Sequence, residues 1–562
     1  MTGLFHYLGR ARELPPREVA RKAVELVAFR TRRRWRKWTY RLMPDPSSDR
    51  FFARRIGMDS EAAGATLFVG DHTVLPVRWA TVSADPAAIA ALRAIGAMAL
   101  EHRFDLLGSG PIRVDYSLEP AGVEGHRYRM PPGEEAERSR RAAMEALLPG
   151  SAEGYDPIDW QVDFKSGYRW SERSWSADLR YGHLDGVDVK VPWELSRFQH
   201  LGALGLLHRL DREGPGGERG AAEFVSQVTD WISANPVRRG VNWVCTMDVA
   251  IRAVNWLLAL ELFRDSAEVM PRFRWLLAKS LYTHGLHIEG HLEYSRQAGS
   301  NHYLANVVGL ICIAAALPEV PESDRWLAWS IQELASEMDR QVLPDGVDHE
   351  GSSGYHFLVA EMFYLGTLIA LRAGRHRRDR LRAVPPHRVA HPRAPAYRAD
   401  GVLPLDRPEL FPDSYFDRLL GMAEFGAALA GAGGRVPLYG DHDSGRLYKL
   451  TPSGRPGPDG AYREDFRDRR YLAAVAGVLF DRSDLRRVGG AFAADATLLL
   501  GDLDAGPVSE AVRTARANGG GVPARVVRRQ TADGGGVSFH PDGGIAVIRW
   551  GSLHVVITLG TV

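Results

Sequence analysis

The chain has 562 residues, 45% hydrophobic and 25% charged, and its 71 lysines and arginines against 69 aspartates and glutamates leave a formal net charge of +2. This is a globular balance, long enough for more than one domain with a sizeable core, and it gives no argument for a nucleic-acid partner. The two cysteines, Cys245 and Cys312, form no disulfide framework and lack metal-ligand spacing, so they read as small buried side chains and no metal ligands are assigned.

Residues 1–150 read as a mixed helical and extended region. Arginines interrupt Met1 to Leu42 throughout, and no apolar run ends in a small-residue cleavage site. No signal peptide is therefore expected, and the default location is cytoplasmic. No stretch is expected to span a membrane. Pro16 to Leu42 is expected to form a basic helix, whose arginines read as a solvated face rather than as a contact to lipid head groups. Phe104 to Gly110 leads into strand-like Ile112-Arg113-Val114, and Pro131, Pro132 and the charged run after them suggest a boundary.

From about Trp193 the pattern becomes long helices separated by polar or Gly/Pro breaks. The apolar spacing predicts helices at Arg197–Leu210, Ala221–Ala234, Met247–Phe263, Val269–Thr283, His302–Ala316, Asp324–Gln341, Tyr355–Arg372 and Tyr415–Ala430. Met247–Phe263, His302–Ala316 and Tyr355–Arg372 are apolar nearly all round, as buried helices are. Ala221–Ala234 and Asp324–Gln341 are amphipathic, as covering helices are. The buried class recurs roughly every fifty residues, which is a helical-hairpin repeat. Such hairpins stack into an α/α toroid, with parallel inner helices inside an antiparallel outer ring; a straight solenoid is the alternative. The expected fold is thus mainly α: an incomplete α/α toroid over residues 151–517, then the opening strands of an antiparallel β-sandwich over 518–562. Those strands are expected around Val537–Phe539, Ile545–Trp550 and Leu553–Thr558. Arg372 to Arg398, rich in arginine and proline, is expected to be an exposed, mobile loop.

Two helix starts carry candidate chemistry. Ser300-Asn301-His302 opens one apolar helix and Ser352-Ser353-Gly354-Tyr355-His356 opens the next. The serines suit N-caps. Parallel inner helices gather their N-termini at one mouth, which would bring together an amide, an imidazole and a phenol. Helix N-termini favour negative charge, suiting an anionic substrate or an enolate-like transition state. Arg252 and Arg296 are candidates to favour the phenolate of Tyr355. Asp345, Glu350 and Asp441 could serve a glycoside hydrolase instead. Trp243 is a candidate sugar-stacking face.

Several segments together resemble the heparinase II/III-like polysaccharide lyases and their alginate-acting relatives, over roughly residues 100–562. They are Ile158-Asp159-Trp160-Gln161-Val162-Asp163-Phe164, Trp193-Glu194-Leu195-Ser196-Arg197, Asn242-Trp243, Ile251-Arg252-Ala253-Val254-Asn255-Trp256, Asn301-His302, Leu343-Pro344-Asp345-Gly346 with Tyr355-His356, and Gly440-Asp441 with Gly445-Arg446. The resemblance implies β-elimination on an anionic, uronate-containing polysaccharide. Asn301 would hold the uronate carboxylate, Tyr355 would move the C5 or O4 proton, and His302 would share the base or charge-stabilising role. Arg252, Arg296, Trp243, Glu350, His356, Asp441 and Arg446 would bind substrate. Family members continue into a large β-sandwich with a His-rich segment and, in some, a divalent metal; Val562 comes before such a segment, so no cofactor is assigned to this chain. A non-catalytic carbohydrate-binding or exopolysaccharide-assembly protein is the second expectation, and a toroid hydrolase the third.

Overall fold

The computed structural model describes residues 31, 45–58, 64, 66–68, 85–128, 134–211, 215–296, 299–318, 320–399, 410–442, 445–501, 512, 527–530, 536–550 and 553–559. Apart from residue 31, the expected basic helix lies outside them. The chain divides into two compact units between Arg55 and Ile56. In the first, Ser48 Oγ accepts the Phe51 N–H at 3.3 Å and starts the short helix α1 (Asp49–Ile56). The stretches expected as separate domains, from residue 56 through 562, all fall in the second unit.

That second unit is built from helices. α2 (Pro86–Leu100) starts on Asp85, whose carboxylate accepts the Ala87 N–H at 3.0 Å, with Pro86 in the first turn. Two short strands follow, β1 (Arg103–Phe104) and β2 (Ile112–Arg113), then α3 (Glu134–Leu147), the β3 (Val162–Asp163)–β4 (Tyr168–Arg169) hairpin and α4 (Lys190–Leu195). Helical hairpins come next: α5 (Leu201–Leu210) with α6 (Pro215–Ala234), α7 (Thr246–Phe263) with α8 (Pro271–Gly290), and α9 (Asn301–Ala316) with α10 (Pro321–Gln341). α11 (Ser353–His376), α12 (Arg378–Ala383) and α13 (Asp413–Leu429) continue the chain, followed by α14 (Tyr471–Leu479), α15 (Ser483–Gly489) and α16 (Ala493–Leu500).

α5, α7, α9, α11 and α13 pack each on the next, while α6, α8 and α10 cover the row from outside. All residues of α7 are buried, which explains a sequence apolar on every side. Gly309 lets α7 and α9 approach closely, since a Cβ there would sit 2.6 Å from that of Ala250. The hairpin β5 (Arg455–Pro456)–β6 (Tyr462–Arg463) returns to pack on α2, so the row curves back toward its start. This is the incomplete α/α toroid that the helical spacing predicts.

Three expectations change. The helix expected at Val269–Thr283 runs on to Gly290. The Arg372–Arg398 stretch is not a loose loop: α11 continues into it, α12 follows, and Arg377 is buried. Its guanidinium donates to the carbonyls of Ala314 and Leu317 at 2.9 and 2.8 Å, satisfying carbonyls at the buried C-terminal end of α9. Finally, Ser353–Gly374 is long and apolar enough to cross a membrane, but 89% of its most apolar window is buried inside the protein, so it is an inner core helix.

At the C-terminal end, β7 (Val527–Gln530), β8 (Gly536–His540), β9 (Ile545–Trp550) and β10 (Leu553–Thr558) form an antiparallel sheet in the order β10-β9-β8-β7. Its buried face carries Ile545 and Val547. Asp345 anchors it to the toroid by accepting the Gly543 N–H at 2.8 Å. Only glycine fits at 543, because a Cβ would come within 2.7 Å of Val347. Arg549 reaches the carbonyls of Ala427 and Ala428 at the end of α13, at 2.8 and 2.7 Å.

We expect Asp345→Ala to cost about 1–3 kcal/mol, the loss of a buried acceptor, and to raise hydrogen exchange in residues 536–558 selectively. Exchange rising equally in α7 and α9 would show that Asp345 supports the toroid rather than the sheet.

His356, a buried ring, and His200, a half-buried one, are each lowered to about 4 by desolvation from an ordinary value of 6.5. Between those values the unfolded chain binds protons that the folded chain does not. Stability therefore falls with pH through that window, by up to about 1.4 kcal/mol per pH unit for each ring. Urea midpoints at pH 7 and pH 5 should show this loss, and His356→Gln should flatten it; an unchanged slope in that variant would contradict the assignment.

Candidate active site

The motif segments act first as a clamp. Asp230 Oδ2 accepts from the Tyr155 hydroxyl (3.0 Å), the Ile158 N–H (2.8 Å) and Trp160 Nε1 (2.9 Å), which fixes the stretch from Ile158 on the outer helix α6. Asn242 Nδ2 then donates to the Trp160 carbonyl at 2.7 Å, and Trp193 Nε1 to the Val241 carbonyl at 2.9 Å. Arg197 Nε meets Asp248 Oδ1 at 2.6 Å. Together these bonds set the turn Val241–Trp243 and place Cys245 at the start of α7.

Three inner helices open at one end. Ser300 Oγ caps α9 by accepting the Tyr303 N–H at 3.3 Å, and Ser352 Oγ caps α11 from Gly354 and Tyr355 at 3.2 and 3.3 Å. Cys245 Sγ, at the start of α7, lies 3.9 Å from His302 Nδ1 at the start of α9. Asn301 joins α9 to the approach of α11: its Nδ2 donates to both oxygens of Glu350 at 3.0 and 2.9 Å, and its backbone N–H donates to one of them at 2.9 Å.

Each candidate group is held by a carboxylate. Asn301 has Glu350. His302 Nδ1 lies 3.0 Å from Glu293 Oε1, with the imidazole partly exposed. Burial pulls the His302 pKa down, but the hydrogen bond and charge of Glu293, helped by Asp248, leave it above the ordinary value. The Tyr355 hydroxyl donates to Asp441 Oδ2 at 3.1 Å. Desolvation raises the carboxyl pKa of Glu350.

Loop 439–442 is bound to the start of α11, since the Ser353 N–H donates to the Tyr439 carbonyl at 3.1 Å and Ser352 Oγ donates to the Asp441 carbonyl. His442 rests on Gly354, so close that a Cβ there would be 2.9 Å from its ring. The same imidazole lines a cleft of about 820 Å³ that runs past Glu194, His200, Lys449 and Phe466. Asn301, His302 and Tyr355 are not among the residues that line this cleft.

Several expected substrate contacts are structural. Arg252 is fully buried, 3.9 Å over the Trp231 ring, with Nε donating to His284 at 3.0 Å. Burial lowers its pKa to about 9. It has no surface to offer a polymer and stands away from the Tyr355 hydroxyl, whose described partner is acidic. Trp243 is buried and donates to the Asn235 carbonyl at 3.1 Å. His356 is buried against Met422. Arg446 is buried, paired with Glu361 and 3.7 Å over the Tyr471 ring. Asp345 lies beneath the C-terminal sheet, which removes it as a hydrolytic acid or base. Arg296 is exposed. Glu350 and Asp441 are at the mouth, bonded to the candidate groups themselves.

Sequence reasoning missed Glu293 and any site role for Cys245. Cys245, Glu293 and His302 bring ligand atoms within 4.8 Å of one another, although they lie far apart along the chain. No local motif marks them.

Residues 137–380 match the family described as Heparinase II/III N-terminus. The heparin-sulfate lyase of Pedobacter heparinus is 27% identical over 181 residues, 31% of this chain and 26% of the relative. That of Bacteroides stercoris is 25% identical over 210 residues, 34% of this chain and 30% of the relative. The aligned stretch thus spans less than a third of either relative's length. Among solved structures, a heparinase III aligns over 85% of this chain and 65% of its own at 14% identity, with a TM-score of 0.37. The heparan sulfate lyase HepC from Pedobacter heparinus aligns over 84% and 56% at 18% identity, with a TM-score of 0.34. Residues 137–380 thus resemble the N-terminal domain of that family, and the rest of the chain lies outside the match.

Proposed function

We propose that this chain is a polysaccharide lyase that cleaves a uronic-acid-containing polysaccharide by β-elimination. The observation that carries this reading is that Asn301 and His302 open α9 beside the start of α7 and, through Glu350, beside the approach to α11, whose first turn carries Tyr355. The similarity to heparin-sulfate lyases over part of the chain supports the reaction class.

β-Elimination needs a withdrawn proton at C5, a stabilised carboxylate beside it and a protonated leaving oxygen at O4. The Asn301 amide, at a helix N-terminus, takes the uronate carboxylate and disperses the charge that builds as the C5 proton leaves. His302, backed by Glu293, adds positive charge on the same side. Tyr355 acts as the phenolate, its own hydrogen passed to Asp441: its oxygen takes the C5 proton, the C5–H electron pair becomes the C4–C5 double bond, the C4–O4 bond breaks with its pair on O4, and the tyrosine gives the proton it took to the departing O4. Asp441 holds the phenol by its hydrogen, which orients the ring toward the mouth. Glu350 keeps the amide turned. A uronate carboxylate arriving there takes an amide hydrogen from Glu350, an exchange of one carboxylate for another.

The test is ultraviolet absorbance of the C4–C5 double bond against a panel of uronate polysaccharides. With the right polymer, Tyr355→Phe should lower kcat by about 10²–10⁴-fold, the usual worth of a positioned proton-transfer group. Asn301→Ala should lower it by about 10²–10³-fold, as loss of a charge-stabilising donor does. Turnover that survives Tyr355→Phe sinks the assignment of that residue. A flat trace over the whole panel, with polymer still retained, sinks the lyase reading and supports a carbohydrate-binding protein.

A further inference from the structure

We infer that Cys245, Glu293 and His302 form a binding site for a divalent cation of the zinc class, with one coordination position open to the mouth. The site stands whether or not the chain is a lyase. It lies within the toroid, apart from the C-terminal domain in which the family resemblance places a metal.

The argument begins with donor chemistry. A thiolate, an imidazole nitrogen and a carboxylate oxygen are ligands that zinc takes, and three protein ligands with an open fourth position are the pattern of sites that bind water or substrate. Magnesium and calcium prefer all-oxygen sets, so the sulfur points to a softer ion. Geometry agrees. His302 Nδ1 and Glu293 Oε1 are 3.0 Å apart, and Cys245 Sγ is 3.9 Å from each. A tetrahedral ion with bonds of about 2.0 Å to nitrogen or oxygen and about 2.3 Å to sulfur needs edges of roughly 3.3–3.5 Å. All three distances lie within about half an ångström of such edges, so the ion fits with small side-chain shifts.

The ligands come from three separately fixed elements: the residue before α7, the segment after α8, and the first turn of α9. The carboxylate is oriented from behind. Glu293 Oε2 accepts the Met247 N–H at 2.9 Å and Asn306 Nδ2 at 3.3 Å, and the Glu293 N–H donates to Asn306 Oδ1 at 2.8 Å. Outer partners of this kind aim a ligand and hold it there. Exposure supplies the entry path, because Cys245 is buried while the Glu293 and His302 side chains are 27% and 43% exposed. The fourth position therefore faces the mouth, beside Asn301.

The charges balance as well. On binding, the Cys245 thiol releases its proton to solvent, and the imidazole coordinates through Nδ1 with its remaining hydrogen on Nε2. Thiolate and carboxylate then neutralise the dication. Burial and the nearby carboxylates of Asp248 and Glu293 push the Cys245 thiol up, so it is the charge of the arriving dication that draws the proton off. The open position takes water, or a carboxylate oxygen of an anionic ligand.

The experiment uses the full chain, stripped with a chelator and titrated with cobalt(II) as a spectroscopic stand-in for zinc. One cobalt per chain should bind with a thiolate-to-cobalt charge-transfer band and the intense visible bands of a tetrahedral ion. Cys245→Ser should abolish the charge-transfer band and weaken zinc binding by calorimetry at least about 10-fold. His302→Gln should weaken binding similarly while the thiolate band persists at saturating cobalt. Cys312→Ser, a change inside α9 away from the cluster, should alter neither readout. Circular dichroism checks each fold, and His302→Gln carries the test if Cys245→Ser does not fold. A folded wild-type chain with no thiolate band overturns the proposal, as does a band lost with Cys312→Ser instead.

Discussion

Thr246 to Phe263 buries every residue it contains, and from that constraint the rest of the molecule follows. A helix with no solvent face must be surrounded by other helices, and in a chain of hairpins its nearest equals are the first helices of the neighbouring hairpins. α7, α9 and α11 therefore pack side by side in the same direction, with Gly309 permitting the close approach. Parallel packing places their N-termini together, and the first backbone N–H groups of each, which no helix carbonyl can meet, turn to serine caps and to the carboxylates of Glu293 and Glu350. Three such ends, each equivalent to roughly half a positive charge, make the mouth a place where anions are stabilised. The chemistry sits where burial puts it.

The segments that most resemble the heparinase II/III-like family serve this geometry rather than the reaction. Asp230 collects three hydrogens from residues 155–160, and Arg197 bonds Asp248 just inside α7. Asn255 and Glu361, from α7 and α11, tie the Leu447 backbone into the ring interior at 2.8 and 2.6 Å. That tether helps position the loop that carries Asp441 and His442. The bonds are buried and connected, so removing one member leaves charged or polar partners unsatisfied, and the cost reaches the helix ends they position.

What could be read from the sequence was whatever is local. The inner and outer helices differ in period and polarity, so their existence and order were legible, as were the serine caps that place Asn301 and Tyr355. Burial of single polar groups was not. Arg252 looks like a site cation beside Asn255-Trp256, but it lies within a helix without an exposed face, stacked on Trp231. Asp345, in a loop rich in turn residues, looks like a surface carboxylate until the C-terminal sheet covers it. Ser353–Gly374 was legible as a buried apolar helix, and only its length, enough to cross a membrane, went unread. The Cys245, Glu293 and His302 cluster was invisible for a further reason: its ligands come from three elements, and only the hairpin packing brings them together.

The uronate proposed to bind at the mouth would meet opposing charge there. Asn301, His302 and Tyr355 are each held by a carboxylate, from Glu350, Glu293 and Asp441. A uronate group placed 4–6 Å from any one of these meets a repulsion of about 3–4 kcal/mol at the effective dielectric of such a site. The helix ends offset part of that; desolvation pushes the Glu350 carboxyl up and Glu293 holds the His302 imidazole above its ordinary value, both in the direction that eases the approach of an anion. A dication on Cys245, Glu293 and His302 would act more strongly still. It would cancel the charge of Glu293 where that charge opposes the substrate, and turn the position beside Asn301 from one carboxylate's territory into a socket for another.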